Sequence, residues 1–187
     1  MKLYYSTNLN PRVAVAVARH LQSPVEYVLA SPRHPDHEEA FRVINPNTLV
    51  PVLVEDGCTV WETDAVACRL SQIARSDFWP TDERLPELMN RPANEAALAD
   101  AAAALRRFAP ILDEILAGRA WLVHGRLSYA DFRVASVLPF VESAQLPVGG
   151  YRNIARWHDR LNELDAWRAP FAGFDDEAPQ AAAGGSR

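Results

Sequence analysis

Positions 50 to 54 read VPVLV, a proline set inside a run whose branched apolar residues are those that fill a β-sheet. Pro51 brings no N–H to a ladder, so the chain has two ways to use it. Either this strand lies at a sheet edge with the missing donor facing outward, or a cis Val50-Pro51 peptide turns the preceding backbone groups toward a ligand. Residue types alone leave both open.

The segments around this run have a readable order. KLYYS, residues 2 to 6, is a short strand. Asn10 and Pro11 occupy the N-cap and first-turn positions of a helix with Val13, Val17 and Leu21 on its inner stripe, although the alternation in VAVAV also suits a strand. VEYVL, residues 25 to 29, is a second strand, and 36 to 43 form a short charged helix. Residues 50 to 54 and 58 to 61 flank Glu55, Asp56 and Gly57 as a hairpin, after which Val66, Leu70 and Ile73 resume helical spacing. The order β-α-β-α-β-β-α is an α/β, thioredoxin-like arrangement over residues 1 to 75.

Residues 76 to 91 carry Pro80, Pro86 and many charges, and read as a linker. From 92 to 174 the signal is all-helical: Leu98, Ala101, Leu105, Phe108, Leu112 and Ile115 recur at spacings of three and four, and Ile154, Trp157, Leu161 and Leu164 repeat the pattern. Between these helices Ser128 and Asp131 form a capping box, with Leu127 and Phe132 as its hydrophobic staple. That is a folding signal rather than a catalytic carboxylate. Residues 175 to 187 lack apolar anchors and read as a disordered tail.

A chain of 187 residues with 49% hydrophobic content has material for a sizeable core. Its net charge of -5 argues against a nucleic-acid or anionic-membrane partner, since both need a basic surface. No leader pattern and no apolar run of membrane-spanning length is present, which points to the cytoplasm. Cys58 and Cys68 suggest neither a disulfide scaffold nor a metal site.

Taken in order, Asn45-Pro46, Val50-Pro51, Asp56-Gly57 and Glu62-Thr63, followed by the Ser128 to Asp131 capping box and the helix NIARWHDRLNELDAW, closely resemble the cytosolic glutathione S-transferases. The likeness runs to about residue 174. It implies a thioredoxin-like domain joined to an all-α domain, glutathione as co-substrate, no metal, and conjugation of the glutathione thiolate to small electrophiles. In the family the proline matching Pro51 is cis, and the backbone of the residue before it, here Val50, pairs with the cysteinyl backbone of glutathione. Glu62 would meet the γ-glutamyl ammonium, while Thr63 and the amides after it would meet its carboxylate. For the glycyl carboxylate, Arg12, Arg33, His34 and His37 are candidates without rank.

The thiolate needs a donor, which the family supplies at the end of the first strand or the start of the first helix. Ser6 and Tyr5 are the catalytic candidates here, and Asn10 stands where serine or cysteine is common. No cysteine falls in this stretch, which argues against thiol-disulfide exchange, because a mixed disulfide needs one there. The interval from Glu62 to Ser128 is shorter than the family pattern by most of one helix, leaving a stub around 85 to 90. In the family that helix helps to build the electrophile pocket and a homodimer interface. The alternatives to an enzyme are a non-catalytic module binding glutathione or a protein, and an assembly domain binding no thiol.

Overall fold

The structure is a computed structural model that describes residues 1–80, 101–123, 125–140 and 149–174, without the side chains of 101–107 and 140. Most of the linker, the stub at 85 to 90, Leu98 and the tail from 175 lie outside the described residues. Contacts divide the chain into two units, Met1–Ser76 together with the chain from Asp165 onward, and Asp77–Leu164.

The first unit is built on a four-stranded sheet of order β2-β1-β3-β4, with β1 Lys2–Tyr5, β2 Glu26–Leu29, β3 Val52–Glu55 and β4 Cys58–Trp61. β1 and β2 are parallel, with Leu3 opposite Tyr27, because the helix α1, Leu9–His20, carries the chain back between them. β3 runs antiparallel to β1 and pairs with β4 through a hairpin. Asp56 and Gly57, at φ 47° and 81°, make the two positive-φ residues that match a tight turn to the twist of its strands. β3 has a neighbour on each side, so the edge alternative for Pro51 does not hold. The proline sits just before the first ladder residue, Val52, where a missing N–H costs no pairing, and the Val50-Pro51 peptide is cis.

α1 begins earlier than its sequence suggests. Its N-cap is Asn8, so Asn10 and Pro11 are its second and third residues. The correction has a simple cause, since no N–H in the first turn has an intrahelical acceptor and a proline is therefore tolerated throughout it. The VAVAV alternation is helical: all six residues from Val13 to Ala18 are fully buried. Each valine among them contributes about 1.5 kcal/mol or more through the area it removes from water. α1 packs on α3, Thr63–Ile73, whose Val66, Ala67 and Leu70 are buried. Tyr4, Val28 and Val52, in register across three strands, share a core with Phe41 of α2, Pro35–Arg42, whose ring meets Tyr4 edge-on at 5.7 Å.

The chain from Asp165 packs on α1. The sequence reading runs the helical domain to 174, whereas the contacts group this segment with the strands. Arg12 donates from Nη2 to the carbonyl of Trp167, with its guanidinium 4.8 Å above that ring. Arg19 Nη1 donates to the carbonyls of Pro170 at 2.9 Å and Ala172 at 2.8 Å.

The second unit holds α4 Ala101–Ile115, α5 Tyr129–Val134 and α6 Arg152–Asn162, while α7 Asp165–Arg168 belongs to the first. The spacing on α4 is as expected, but the spacing does not mark which residues are buried. Ala109 and Leu116 are buried, whereas Phe108 and Ile115 are 42% and 44% exposed. Apolar residues lie on both sides of this helix, so the periodicity does not single out a face. Asp113 on α4 turns toward α6, where its carboxylate accepts from the amides of Asn153 at 2.8 Å and Ile154 at 3.0 Å. It caps a helix start whose own N-cap, Tyr151, supplies no side-chain bond. The capping box of Ser128 and Asp131 is formed. Asp131 is fully buried and accepts from Ser128 N at 2.9 Å, Leu122 N at 2.9 Å and the Trp157 indole at 3.0 Å.

Candidate functional site

Parallel pairing of β1 and β2 brings both of their C-terminal ends to one edge of the sheet, and antiparallel β3 begins at that same edge. Loops leaving the carboxyl ends of parallel strands are where open sheets bind ligands. A cleft of about 470 Å³ opens there, within the range of small-molecule sites. Its walls are Ser6 after β1, Asn8 to Pro11 at the start of α1, Ala30 to His34 after β2, and Thr48, Leu49 and Val50 before β3.

Each wall is held by identifiable bonds. Asn45, 1% exposed, donates from Nδ2 to Leu49 O at 2.8 Å and accepts from Asn47 N at 3.0 Å. It thereby braces the turn that delivers Val50, with Thr48 at φ 51°. At β1, Ala30 N donates to Tyr5 O at 2.8 Å, which extends the strand pairing to the brink of the cleft. The first turn of α1 brings the positive end of its dipole to the same space.

The sequence candidates divide among wall, flank and interior. Ser6, Asn10 and Val50 line the cleft, and Pro51 is buried behind it. Ser6 Oγ is itself buried and has no hydrogen-bond partner among the described residues. Tyr5 is not among the lining residues; its ring is 5% exposed and stacks on Phe171 at 5.5 Å. Thr63 is buried at the start of α3, and its hydroxyl makes a long 3.4 Å contact to Asn10 O. That contact sets the mouth of α3 beside the first turn of α1. Glu62, the N-cap of α3, is exposed and is not among the residues lining the cleft. Its backbone lies at φ 71° and ψ 131°, a conformation that costs a residue with a side chain about 1 to 3 kcal/mol.

The four cation candidates now separate. Arg33 and His34 line the cleft, whereas Arg12 is committed to Trp167 and His37 does not line it. His34 is engaged with Asp36, whose amide it accepts and whose carboxylate lies 3.5 Å away. Arg33 is exposed and makes no ion pair among the described residues. Sequence reading had no means to rank these four, nor to find the bracing role of Asn45, whose side-chain bonds go to backbone atoms. Among the described residues no group of three or more His, Cys, Asp or Glu could hold a metal, and no helix is long and apolar enough to cross a membrane.

Two family models match the chain: "Glutathione S-transferase, N-terminal domain" over residues 1–68 and "Glutathione S-transferase, C-terminal domain" over residues 74–165. Among solved structures, the sphingomonad glutathione S-transferase complexed with glutathione is 21% identical, with a TM-score of 0.74 over 91% of this chain and 96% of that one. A class Gtt2 glutathione S-transferase of Vibrio parahaemolyticus is 24% identical, with a TM-score of 0.74 over 91% and 97%. A glutathione S-transferase from Methylobacillus flagellatus with GSH bound is 21% identical, with a TM-score of 0.73 over 96% and 99%.

Proposed function

Because the chain belongs to the glutathione S-transferase family, we propose that it conjugates glutathione to small electrophiles in the cleft at the sheet edge. The observation that carries this reading is the unpartnered Ser6 hydroxyl at a wall shared with the start of α1. A buried hydroxyl without a bond is costly to leave unmet, and a thiolate beside it would accept that bond. Lowering a thiol pKa from about 8.5 to about 6.5 takes roughly 2.7 kcal/mol, within reach of one charge-assisted hydrogen bond and a helix N-terminus.

In this reading the Val50 backbone pairs with the cysteinyl residue. Asn10 lines the same cleft, and the guanidinium of Arg33, without an ion pair among the described residues, takes the glycyl carboxylate. Glu62 meets the γ-glutamyl ammonium from the flank, with Thr63 and the α3 amides on its carboxylate; the strained Glu62 backbone supports a residue kept in place for its ligand. The thiol gives its proton to water, and the thiolate sulfur forms a bond to the electrophilic carbon. In a substitution the leaving group departs with its electron pair; in an addition the double bond opens and its electron pair takes up a proton. No metal enters. The protein works in the cytoplasm.

Retention on immobilised glutathione and turnover of an aryl halide test the reading together. Ser6→Ala is expected to keep retention and lose about 10-fold or more in kcat, the worth of one charge-assisted donor. Turnover that survives Ser6→Ala and is lost in Tyr5→Phe refutes the assignment of Ser6. A non-catalytic glutathione-binding module is the second reading, favoured by Asn10 standing where serine or cysteine is usual; retention without turnover by the unaltered protein would establish it.

A further inference from the structure

Two neighbouring hydroxyls could serve the cleft, and what separates them lies at the back of the strand. Ser6 is the first residue after β1 and lines the cleft, whereas Tyr5, the last residue of β1, does not, so the two side chains leave the chain on different sides. The Tyr5 ring is held by two phenylalanines from the far end of the chain, Phe171 stacked at 5.5 Å and 16°, and Phe174 at 5.2 Å. Phe174 also packs on Tyr27 of β2 at 4.7 Å. Arg19 secures the segment to α1 through the carbonyls of Pro170 and Ala172, on the helix whose first turn forms the cleft wall. The Tyr5 carbonyl is fixed independently by Ala30 N.

We infer that Phe171 and Phe174 are positioning residues for the thiol chemistry: they hold Tyr5 out of the cleft and so direct Ser6, the next residue, toward the ligand. They touch no reacting atom. The inference rests on Ser6 as the thiolate donor proposed above, and it assigns to residues 171 and 174, more than 160 positions away in sequence, a share in the acidity of bound glutathione.

The test is kinetic and spectroscopic on the full chain. Phe171→Ala and Phe174→Ala, singly and together, are measured for kcat, for KM toward glutathione, and for the pH at which bound glutathione acquires its thiolate absorbance. A positioning role predicts that this pH rises by about one unit, that kcat at about pH 6.5 falls about 5- to 10-fold, and that KM for glutathione stays within about two-fold. Phe171→Tyr and Phe174→Tyr keep the rings and are expected to restore the unaltered values. If the alanine variants fail to fold, Phe171→Leu keeps the volume while removing the stacked face and is expected to give the same displacement of the pH profile. An unmoved pH profile in the folded variants, or a change in KM alone, overturns the inference. The two readings are separable: if Ser6→Ala itself leaves the profile unmoved, the donor assignment has failed; if Ser6→Ala moves it and the phenylalanine variants do not, only the positioning role has failed.

Discussion

Replacing Glu62 with glycine and, separately, with alanine isolates what its backbone conformation contributes. Both changes remove the same exposed carboxylate, so both are expected to weaken glutathione binding alike, by about 10-fold or more for the loss of a charged partner. They differ only at φ 71° and ψ 131°, where alanine inherits the strain and glycine does not. That strain is worth about 1 to 3 kcal/mol, and the extra freedom glycine gives the unfolded chain takes back about 0.5 to 1 kcal/mol. The glycine variant should therefore be the more stable of the two by about 1 kcal/mol and at most about 2.5 kcal/mol, seen as a Tm about 2 to 4 °C and at most about 10 °C higher. Thermal unfolding by circular dichroism, with calorimetric titration of glutathione on the same samples, checks both halves. A glycine variant with the lower Tm of the two would refute the claim that the Glu62 backbone is strained, and unchanged affinity in both would refute its place in the ligand site.

Other outcomes follow from single interactions. Asp131→Asn leaves at least one of its buried donors without an acceptor and should cost about 2 kcal/mol in urea unfolding, with loss of the near-ultraviolet signal of Trp157. Burial pushes the Asp131 carboxyl above its ordinary value of 3.8, against the pull of its four hydrogen bonds, so the folded chain holds this proton more tightly than the unfolded one. Its contribution to stability is full below 3.8 and falls away as pH rises to the raised folded value, and Asp131→Asn should flatten that part of the urea-midpoint profile. Trp167→Ala empties a fully buried site beneath the Arg12 guanidinium and should cost about 3 to 5 kcal/mol, measured by the same unfolding curves. Arg33→Met should raise the Kd for glutathione about 10-fold or more while leaving that for a glycine-truncated dipeptide unchanged, by calorimetry.

Much of the architecture is legible in local pattern because local physics produces it. Asp56-Gly57 makes a hairpin from positive φ alone, and the Ser128 and Asp131 capping box closes over three residues. The position of Pro51 restricts β3 in the same way. The cap of α1 at Asn8 is misread because a proline is equally at home anywhere in a first turn. The buried face of α4 is not legible because apolar residues lie on both sides of it. Least legible is the grouping of the last segment with the first strands. Its anchors are arginine side chains on backbone carbonyls some 150 residues away, and a carbonyl is offered by every residue alike. For the site, Ser6 and Val50 could be proposed from the family resemblance, whereas proposing Arg33 rather than Arg12 needed the knowledge of where Trp167 goes.

The grip of Arg12 and Arg19 on the segment after Asp165 has a consequence for how the chain is made. A ribosome emits the four strands well before the aromatic side chains that finish packing against them, which follow more than 100 residues later at about 5 to 20 residues per second. For some seconds of every round of translation, Tyr5, Tyr27 and the guanidinium of Arg12 await partners that do not yet exist, and a chaperone working on the nascent polypeptide would find them uncovered during that interval.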